Sequence, residues 1–349
     1  MANFSFGFDL PSSAGAKGGA DVAAPTPLDA RADMELSHDS AHLPAPASAM
    51  HRGAQEHGQG GDEGPQDSHF PAVVVPCPDA VSVQLQEPGA VYRAAYTDIL
   101  FSRSATSAPL LPLRKIDLDQ HPDHVNSVAI PSNLDIVPST YGGGYKTWEC
   151  SVDLAQYLIH HHTQHQTQQA QGQAQAAPSL LELGCGHGLP GIAALRYLGY
   201  RRAIFNDLNS EVLRDTTWPN VALNGVASAS GGGVAATVQC LGGHWNSVST
   251  TLGQQTFDLV LSAETAYSEV NVKILMQMLR RHLARGPSGT HGKAYLATKR
   301  FYFGLSGGTA CIEAEAAACG LSCIVVHSIE DGASNIRDIC LLEHMGAGL

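Results

Sequence analysis

The sequence predicts a doubly wound α/β fold over residues 131–349, a seven-stranded sheet that is mostly parallel with an antiparallel C-terminal strand. Three observations carry this expectation. From Leu180 onward, short apolar runs alternate with helical patterns, as strands joined by crossover helices do. The run Leu180-Leu181-Glu182-Leu183 passes directly into a glycine turn, Gly184-Cys185-Gly186-His187-Gly188, and then to Pro190, whose fixed φ suits the first turn of a helix. The last two apolar runs, residues 321–327 and 336–342, have no helix between them and so predict an antiparallel edge.

The N-terminal third reads differently. Residues 11–70 are dominated by Ala, Gly, Pro, Ser, Asp and His, too few apolar side chains to offset the entropy of ordering, so residues 1–70 are expected to form a disordered tail with an aromatic tip at Phe4, Phe6 and Phe8. Residues 71–130 form a poorly defined extension, with short strands expected over 72–75 and 81–85 and an edge element over 92–101. A formal charge of −12 argues against direct nucleic-acid binding, which needs clustered Lys and Arg, and suits a basic protein partner. Eight cysteines without a C-x-x-C pair, and no secretory apolar stretch after Met1, predict reduced thiols in a cytoplasmic and nuclear protein. No apolar run is long enough to span a bilayer, and a monomer is expected.

Taken in order, a helical pattern begins at Val152 with Ser151 as its expected N-cap and runs into His160, His161, His162 and His165. Residues 160–177 form a Gln/Ala/His insertion with no fixed geometry to gather ligands, so no metal site is expected. After the glycine turn come a helix over 192–198 and a strand over 203–205 ending in Asn206-Asp207-Leu208-Asn209. Val212, Leu213, Val221 and Leu223 carry the next helix, broken or kinked at Pro219. Strands follow over 237–241 and 257–261, the second ending in Ser262-Ala263-Glu264-Thr265-Ala266-Tyr267. An amphipathic helix over 270–283, a strand over 293–297, and a helix over 309–319 closed by Gly320 complete the pattern.

In such a sheet, ligands bind outside the carboxyl ends of the strands. Gly184, Asp207, Trp245, Ser262 and Glu264 each follow a strand and are therefore expected along one edge. Asp207 lies 23 residues beyond Gly184, the separation at which an acidic side chain meets the ribose hydroxyls of a nucleoside. Gly186, Gly188 and Gly191 also satisfy G-x-G-x-x-G, so the glycines alone leave a nicotinamide cofactor and S-adenosylmethionine both open. Glu182, two places before Gly184, suits a cationic amino-acid tail better than a pyrophosphate. Trp245 offers a face for adenine or a place in the core.

Several stretches together resemble the protein-histidine methyltransferases: Asp135-Ile136-Val137-Pro138, Gly143-Gly144-Tyr145-Lys146-Thr147-Trp148-Glu149-Cys150, Leu181 to Gly186, Ser262 to Tyr267, and Lys299-Arg300-Phe301-Tyr302-Phe303-Gly304. The resemblance runs from about Leu134 to the C-terminus. It implies a Rossmann-like class I methyltransferase that uses S-adenosylmethionine to methylate the tele nitrogen of a histidine in a basic large-subunit ribosomal protein. It also places Trp148 and Glu149 at the methionine end of the cofactor, with Cys150 among the cofactor-binding residues. Glu182, Gly184, Gly186, Gly188, Asn206, Asp207, Leu208, His244, Trp245 and Ser262 complete the expected cofactor set. Two positions depart from the pattern: His244 stands where the family has an acidic residue, and Ala266 where it has a larger apolar one.

Methyl transfer from a sulfonium to a largely neutral imidazole needs no metal and no strong base, only alignment. The expected catalytic pair is Glu264, which would accept the N–H of the imidazole and fix its tautomer, and Tyr267, which would shape the pocket. Three alternatives compete with this reading: a related protein-lysine methyltransferase, a cofactor-binding scaffold without catalysis, and, last, a nicotinamide oxidoreductase.

Overall fold

A computed structural model of the chain describes residues 70–77, 96–102, 110–118, 141–162, 177–227, 236–286, 292–332 and 334–346. Among these, strands β1 (Val73–Val75), β2 (Tyr96–Phe101) and β3 (Leu111–Ile116) precede helix α1 (Glu149–His162). There follow β4 (Ser179–Leu183), α2 (Leu189–Tyr197), β5 (Arg202–Asp207), α3 (Ser210–Val212), a π-helical turn over Leu213–Thr217, and α4 (Trp218–Leu223). The chain continues through β6 (Thr237–Gly242), α5 (Trp245–Leu252), β7 (Leu259–Ala263), α6 (Glu269–His282), β8 (Lys293–Lys299), α7 (Thr309–Ala318), β9 (Leu321–Ile329) and β10 (Arg337–His344).

The main sheet has the order β1-β6-β5-β4-β7-β8-β10-β9. The five strands β6, β5, β4, β7 and β8 pair in parallel. The final two are antiparallel neighbours as expected, but β10 inserts between β8 and β9, which makes β9 the edge. The last strand is interior, and six of its eight residues, Arg337 to Cys340, Leu342 and His344, are buried. At the other end β1 adds an eighth strand, pairing antiparallel with β6 from Val73 against Gly242.

Alternation along each strand divides the core between the two faces. Leu180, Phe205, Cys240, Leu259 and Leu261 pack on one side with Leu154, Leu158 and Ile192 from α1 and α2. Leu181, Leu183, Leu241 and Val260 pack on the other with Val248, Leu275, Leu279 and Ile312 from α5, α6 and α7.

The local differences from expectation have physical reasons. Helix α1 starts at Glu149, so Ser151 lies inside its first turn and donates its backbone N–H to Trp148 instead of capping. The break expected at Pro219 becomes the π-helical turn just before it, because a proline nitrogen cannot continue the ladder and the helix widens to accommodate it. Of the edge element expected over 92–101, residues 96–101 form β2, which among the described residues pairs with β3, and 92–95 lie outside them. The Phe-rich tip, the run over 81–85, the Asp135–Pro138 motif, His165 and most of the Gln/Ala/His insertion lie outside the described residues. No helix among the described residues is long and apolar enough to cross a membrane.

Candidate active site

The carboxyl ends of β4, β5, β6 and β7 open onto one cleft of about 830 Å³, counted to its open mouth. It is walled by the glycine turn after β4, by Asp207 and Leu208 after β5, by Gly243, His244 and Trp245 after β6, and by Ala263, Glu264, Thr265 and Tyr267 after β7. The segment 142–148 leading into α1 forms a further wall and brings Trp148 to it.

Bare backbone shapes the floor. Gly184 has φ +62°, and a Cβ there would stand 2.5 Å from Thr265 Cγ2. At Gly186 a Cβ would meet the carbonyl oxygen of Gly144 at 3.0 Å, so the 142–148 segment lies directly on the turn. Asp207 holds the turn open from the neighbouring strand, its Oδ2 accepting the Gly186 N–H at 2.9 Å and its Oδ1 the Asn209 N–H at 3.2 Å. Burial raises its carboxyl to about 6, against the opposing pull of those backbone donors.

The 142–148 segment is pinned from three sides. Asn209 Oδ1 accepts the N–H of Gly142 at 3.1 Å, and the Tyr145 hydroxyl donates to Asp215 Oδ2 at 2.9 Å. His187 Nε2 donates to the Tyr145 carbonyl at 2.9 Å, which leaves Nδ1 to accept from Asn220 Nδ2 at 3.3 Å. Burial lowers the His187 imidazole to about 4, so it stays neutral in this role. The Trp148 indole donates to Gly143 O at 3.0 Å, with the Lys146 and Lys299 ammoniums 4.6 and 5.3 Å from its ring centroid.

Glu264 is where the polar groups of the cleft converge. It is the one non-glycine residue with positive φ among those described, at +56°, an unfavourable conformation that the surroundings must hold in place. Its Oε2 accepts the Tyr302 hydroxyl at 2.6 Å. Its Oε1 accepts the Cys150 thiol at 3.1 Å and lies 3.5 Å from Lys299 Nζ. Burial and the Glu264 charge push both the Cys150 thiol and the Tyr302 phenol well above their ordinary values, so each remains a donor.

Of the residues singled out from sequence, Trp148, Gly184, Gly186, Asp207, Leu208, His244, Trp245, Glu264 and Tyr267 line the cleft. Six others stand behind its wall. Glu182 is buried, and its Oε2 accepts the N–H of Gly191 at the start of α2 at 2.8 Å. It buttresses the helix start from below. Gly188, with φ +69°, caps α2 and leaves room for the Phe205 ring, 3.2 Å from where its Cβ would be. Asn206 Nδ2 ties β5 to the end of β6 through Leu241 O at 2.8 Å and Gly243 O at 3.2 Å. The Ser262 hydroxyl donates to Leu183 O at 2.7 Å and bonds Thr265 Oγ1. Glu149 faces Arg337 at 3.6 Å, and Cys150 reaches the site only through Glu264.

Reading the sequence assigned no role to His187, Thr265, Lys299 or Tyr302 individually. Their signal was position: Lys299 ends β8, one strand beyond β7, and the same rule of strand ends applies to it.

Residues 132–300 match the family described as lysine methyltransferase. The chain is similar to a protein of Dictyostelium discoideum named histidine protein methyltransferase 1 homolog, 35% identical over 206 residues that cover 59% of each chain. It is 31% identical to the Rattus norvegicus protein of the same name, over 53% of this chain and 52% of that one. It is also 31% identical to histidine protein methyltransferase 1 of Schizosaccharomyces pombe, over 50% of this chain and 56% of that one. The chain thus spans between half and three fifths of the length of these curated relatives. Residues 132–300 are thus similar to the lysine methyltransferase family, and the chain as a whole to proteins named histidine protein methyltransferase 1.

Proposed function

We propose that this chain transfers the methyl group of S-adenosylmethionine to the tele nitrogen of a histidine in a protein, and that the acceptor is a basic protein of the large ribosomal subunit. The observation that carries the reading is the convergence of a bare glycine turn, a buried aspartate and Glu264 on one cleft. The similarity to proteins named for histidine methylation supports the choice of acceptor. A cytoplasmic and nuclear monomer is part of the same proposal.

The residues present fit the cofactor. Gly184 and Gly186 present a turn without side chains to the cleft, and Asp207 offers a carboxylate beside it for two ribose hydroxyls. Trp245, whose ring lies 3.9 Å from where a Cβ of Gly184 would stand, and His244 flank the place for adenine, and Trp148 closes the methionine end. When bound, S-adenosylmethionine supplies an electrophilic methyl group on a sulfonium. The chain's own task is then to hold an imidazole in line, exclude water and choose the tautomer. Glu264 has about four acceptor positions and gives three of them to Tyr302, Cys150 and Lys299. The remaining one is available for the proton-bearing nitrogen of the acceptor, and the carboxylate offsets the imidazolium charge as it forms. Tyr267 shapes the pocket beside it.

A second reading, methylation of lysine, is favoured by the description of the matching family. Lysine must lose a proton before it attacks, so its rate would climb towards pH 9 where that of histidine levels off. One experiment separates the two readings. Total protein of large ribosomal subunits is incubated with labelled S-adenosylmethionine, and the methylated residue is identified by mass spectrometry. Label on histidine is expected, label on lysine selects the second reading, and absence of label removes both.

A further inference from the structure

The loop after β8 carries three exposed apolar side chains that methyl transfer itself does not use. Phe301 is 61% exposed, Phe303 71% and Leu305 43%. Single exposed hydrophobic residues are ordinary, but two phenylalanines and a leucine within five residues form a patch of the kind that marks a contact surface.

This loop is fixed in place. Between the two phenylalanines, Tyr302 turns inward and places its hydroxyl on Glu264. Phe301 bridges to Gly308, and the backbone N–H groups of Gly307 and Gly308 donate to Tyr267 O at 3.2 Å and Ala266 O at 2.9 Å. Gly307 leaves no space for a side chain, since a Cβ there would sit 2.1 Å from Ala266 O. The loop that carries the exposed side chains is therefore bonded directly to Glu264 and Tyr267, two residues of the cleft wall. The neighbouring charges are already paired, Arg300 with Asp338 and Glu330, and Lys273 with Glu269. Apolar contact is what the surface has to offer.

We propose that Phe301, Phe303 and Leu305 dock the polypeptide that carries the acceptor residue, taking apolar side chains within about three positions of it. This rests on the protein-methylation reading. A side chain that reaches Glu264 brings its own backbone over the rim, and at roughly 3.3–3.6 Å per residue its three neighbours on either side stay within about 10 Å. The phenylalanines flank the tyrosine that bonds Glu264, on a loop held to Ala266 and Tyr267, so they lie within that reach of the rim. A pre-formed aromatic surface binds at little ordering cost.

The test uses the full chain and the double variant Phe301→Ser/Phe303→Ser, with total protein of large ribosomal subunits and labelled S-adenosylmethionine as probes. Both side chains are exposed, and retained S-adenosylhomocysteine affinity by calorimetry shows that the variant is folded. The expected result is a drop in kcat/KM for the protein acceptor of roughly tenfold or more, carried by KM, whichever residue takes the label. The variant Phe303→Leu, introduced alone, keeps most of the activity. Unchanged kcat/KM overturns the docking role, as does an equal loss of S-adenosylhomocysteine affinity. A wild-type dimer that the double variant dissolves assigns the surface to a second copy, and also overturns it. If the wild-type chain labels nothing, the methyl-transfer reading fails and the docking role falls with it; the other outcomes leave that reading intact.

Discussion

Tyr302 donates its hydroxyl to Glu264 across 2.6 Å, linking the end of β8 to the end of β7 directly behind the place where an acceptor would sit. The same carboxylate holds Cys150 from α1 and Lys299 from β8, so it orients three elements of the site at once. Glu264→Gln removes the charge that faces Lys299 and the acceptor. It is expected to lower kcat by on the order of 10²-fold while cofactor affinity changes little. Tyr302→Phe removes one hydrogen bond to a charged group and is expected to cost about tenfold. Steady-state methylation checks both, and full activity in Glu264→Gln would remove the tautomer role.

In the proposed site, Asp207 and Gly184 serve the cofactor rather than the acceptor. Asp207→Ala takes away the carboxylate that holds the N–H groups of Gly186 and Asn209, and with it the ribose partner. Its affinity for S-adenosylmethionine, measured by calorimetric titration, is expected to fall at least about tenfold. Gly184→Ala must take φ +62° and push a methyl against Thr265 Cγ2 at 2.5 Å. That strain is of order 1–3 kcal/mol before any clash, so a lower Tm and weaker cofactor binding are expected together.

Much of this was legible from residue pattern because α/β sheets place function by a topological rule. Once Leu180–Leu183, the strand before Asp207 and the strand before Ser262 were recognised as parallel, Gly184, Asp207, Trp245 and Glu264 had to share an edge. What pattern could not show was which way each side chain turns at a strand end. Glu182 precedes the turn by two residues and points into the sheet's packing against α2, on the face opposite Leu181 and Leu183, where the N–H of Gly191 meets it. The pairing of β10 between β8 and β9 was equally hidden. It depends on Arg300, Ser328 and Thr309 converging on buried Asp338, and on Arg337 reaching Asp153 in α1, all contacts distant in sequence. Strand β3 escaped notice because Leu111-Pro112-Leu113-Arg114-Lys115-Ile116 has no clean alternation. Asn220 within α4 and Asn224 just after it supply side-chain partners for its backbone.

The π-helical turn before Pro219 places two hydroxyls against one carbonyl of the cofactor turn. Thr216 Oγ1 and Thr217 Oγ1 donate to Gly186 O at 3.1 and 2.6 Å. Thr216 also donates to Val212 O within the helix, so Thr217 is the more dedicated partner. Thr217→Val keeps the shape and removes the donor. It is expected to weaken S-adenosylmethionine binding roughly two- to tenfold, as the loss of one buried hydrogen bond implies, and Thr217→Ser to restore it. Binding by Thr217→Val as tight as wild type would mean that the widened turn serves the helix alone.

Glu182 makes stability depend on pH in a window of its own. Burial raises its carboxyl from 4.5 to about 8, against the opposing N–H of Gly191 and with a smaller upward push from Asp207. Between those values the unfolded chain has lost the proton and the folded chain keeps it. The folded state thus binds more protons, and stability falls as pH rises from 4.5 to about 8, then levels off. Two other buried groups act earlier. His187, lowered from 6.5 to about 4, makes stability rise with pH between those values, and Asp207, raised from 3.8 to about 6, makes it fall over that lower range. Above pH 6.5 both contributions are complete, and of these three groups only Glu182 still titrates. Glu182→Gln keeps the acceptor for Gly191 and cannot ionise. Its Tm, followed by calorimetry from pH 6.5 to 8.5, is therefore expected to gain steadily on that of wild type up to about pH 8 and to hold a constant lead beyond it. Parallel Tm curves for the two proteins across this range would show that Glu182 is already ionised in the folded chain and that its burial carries no such penalty.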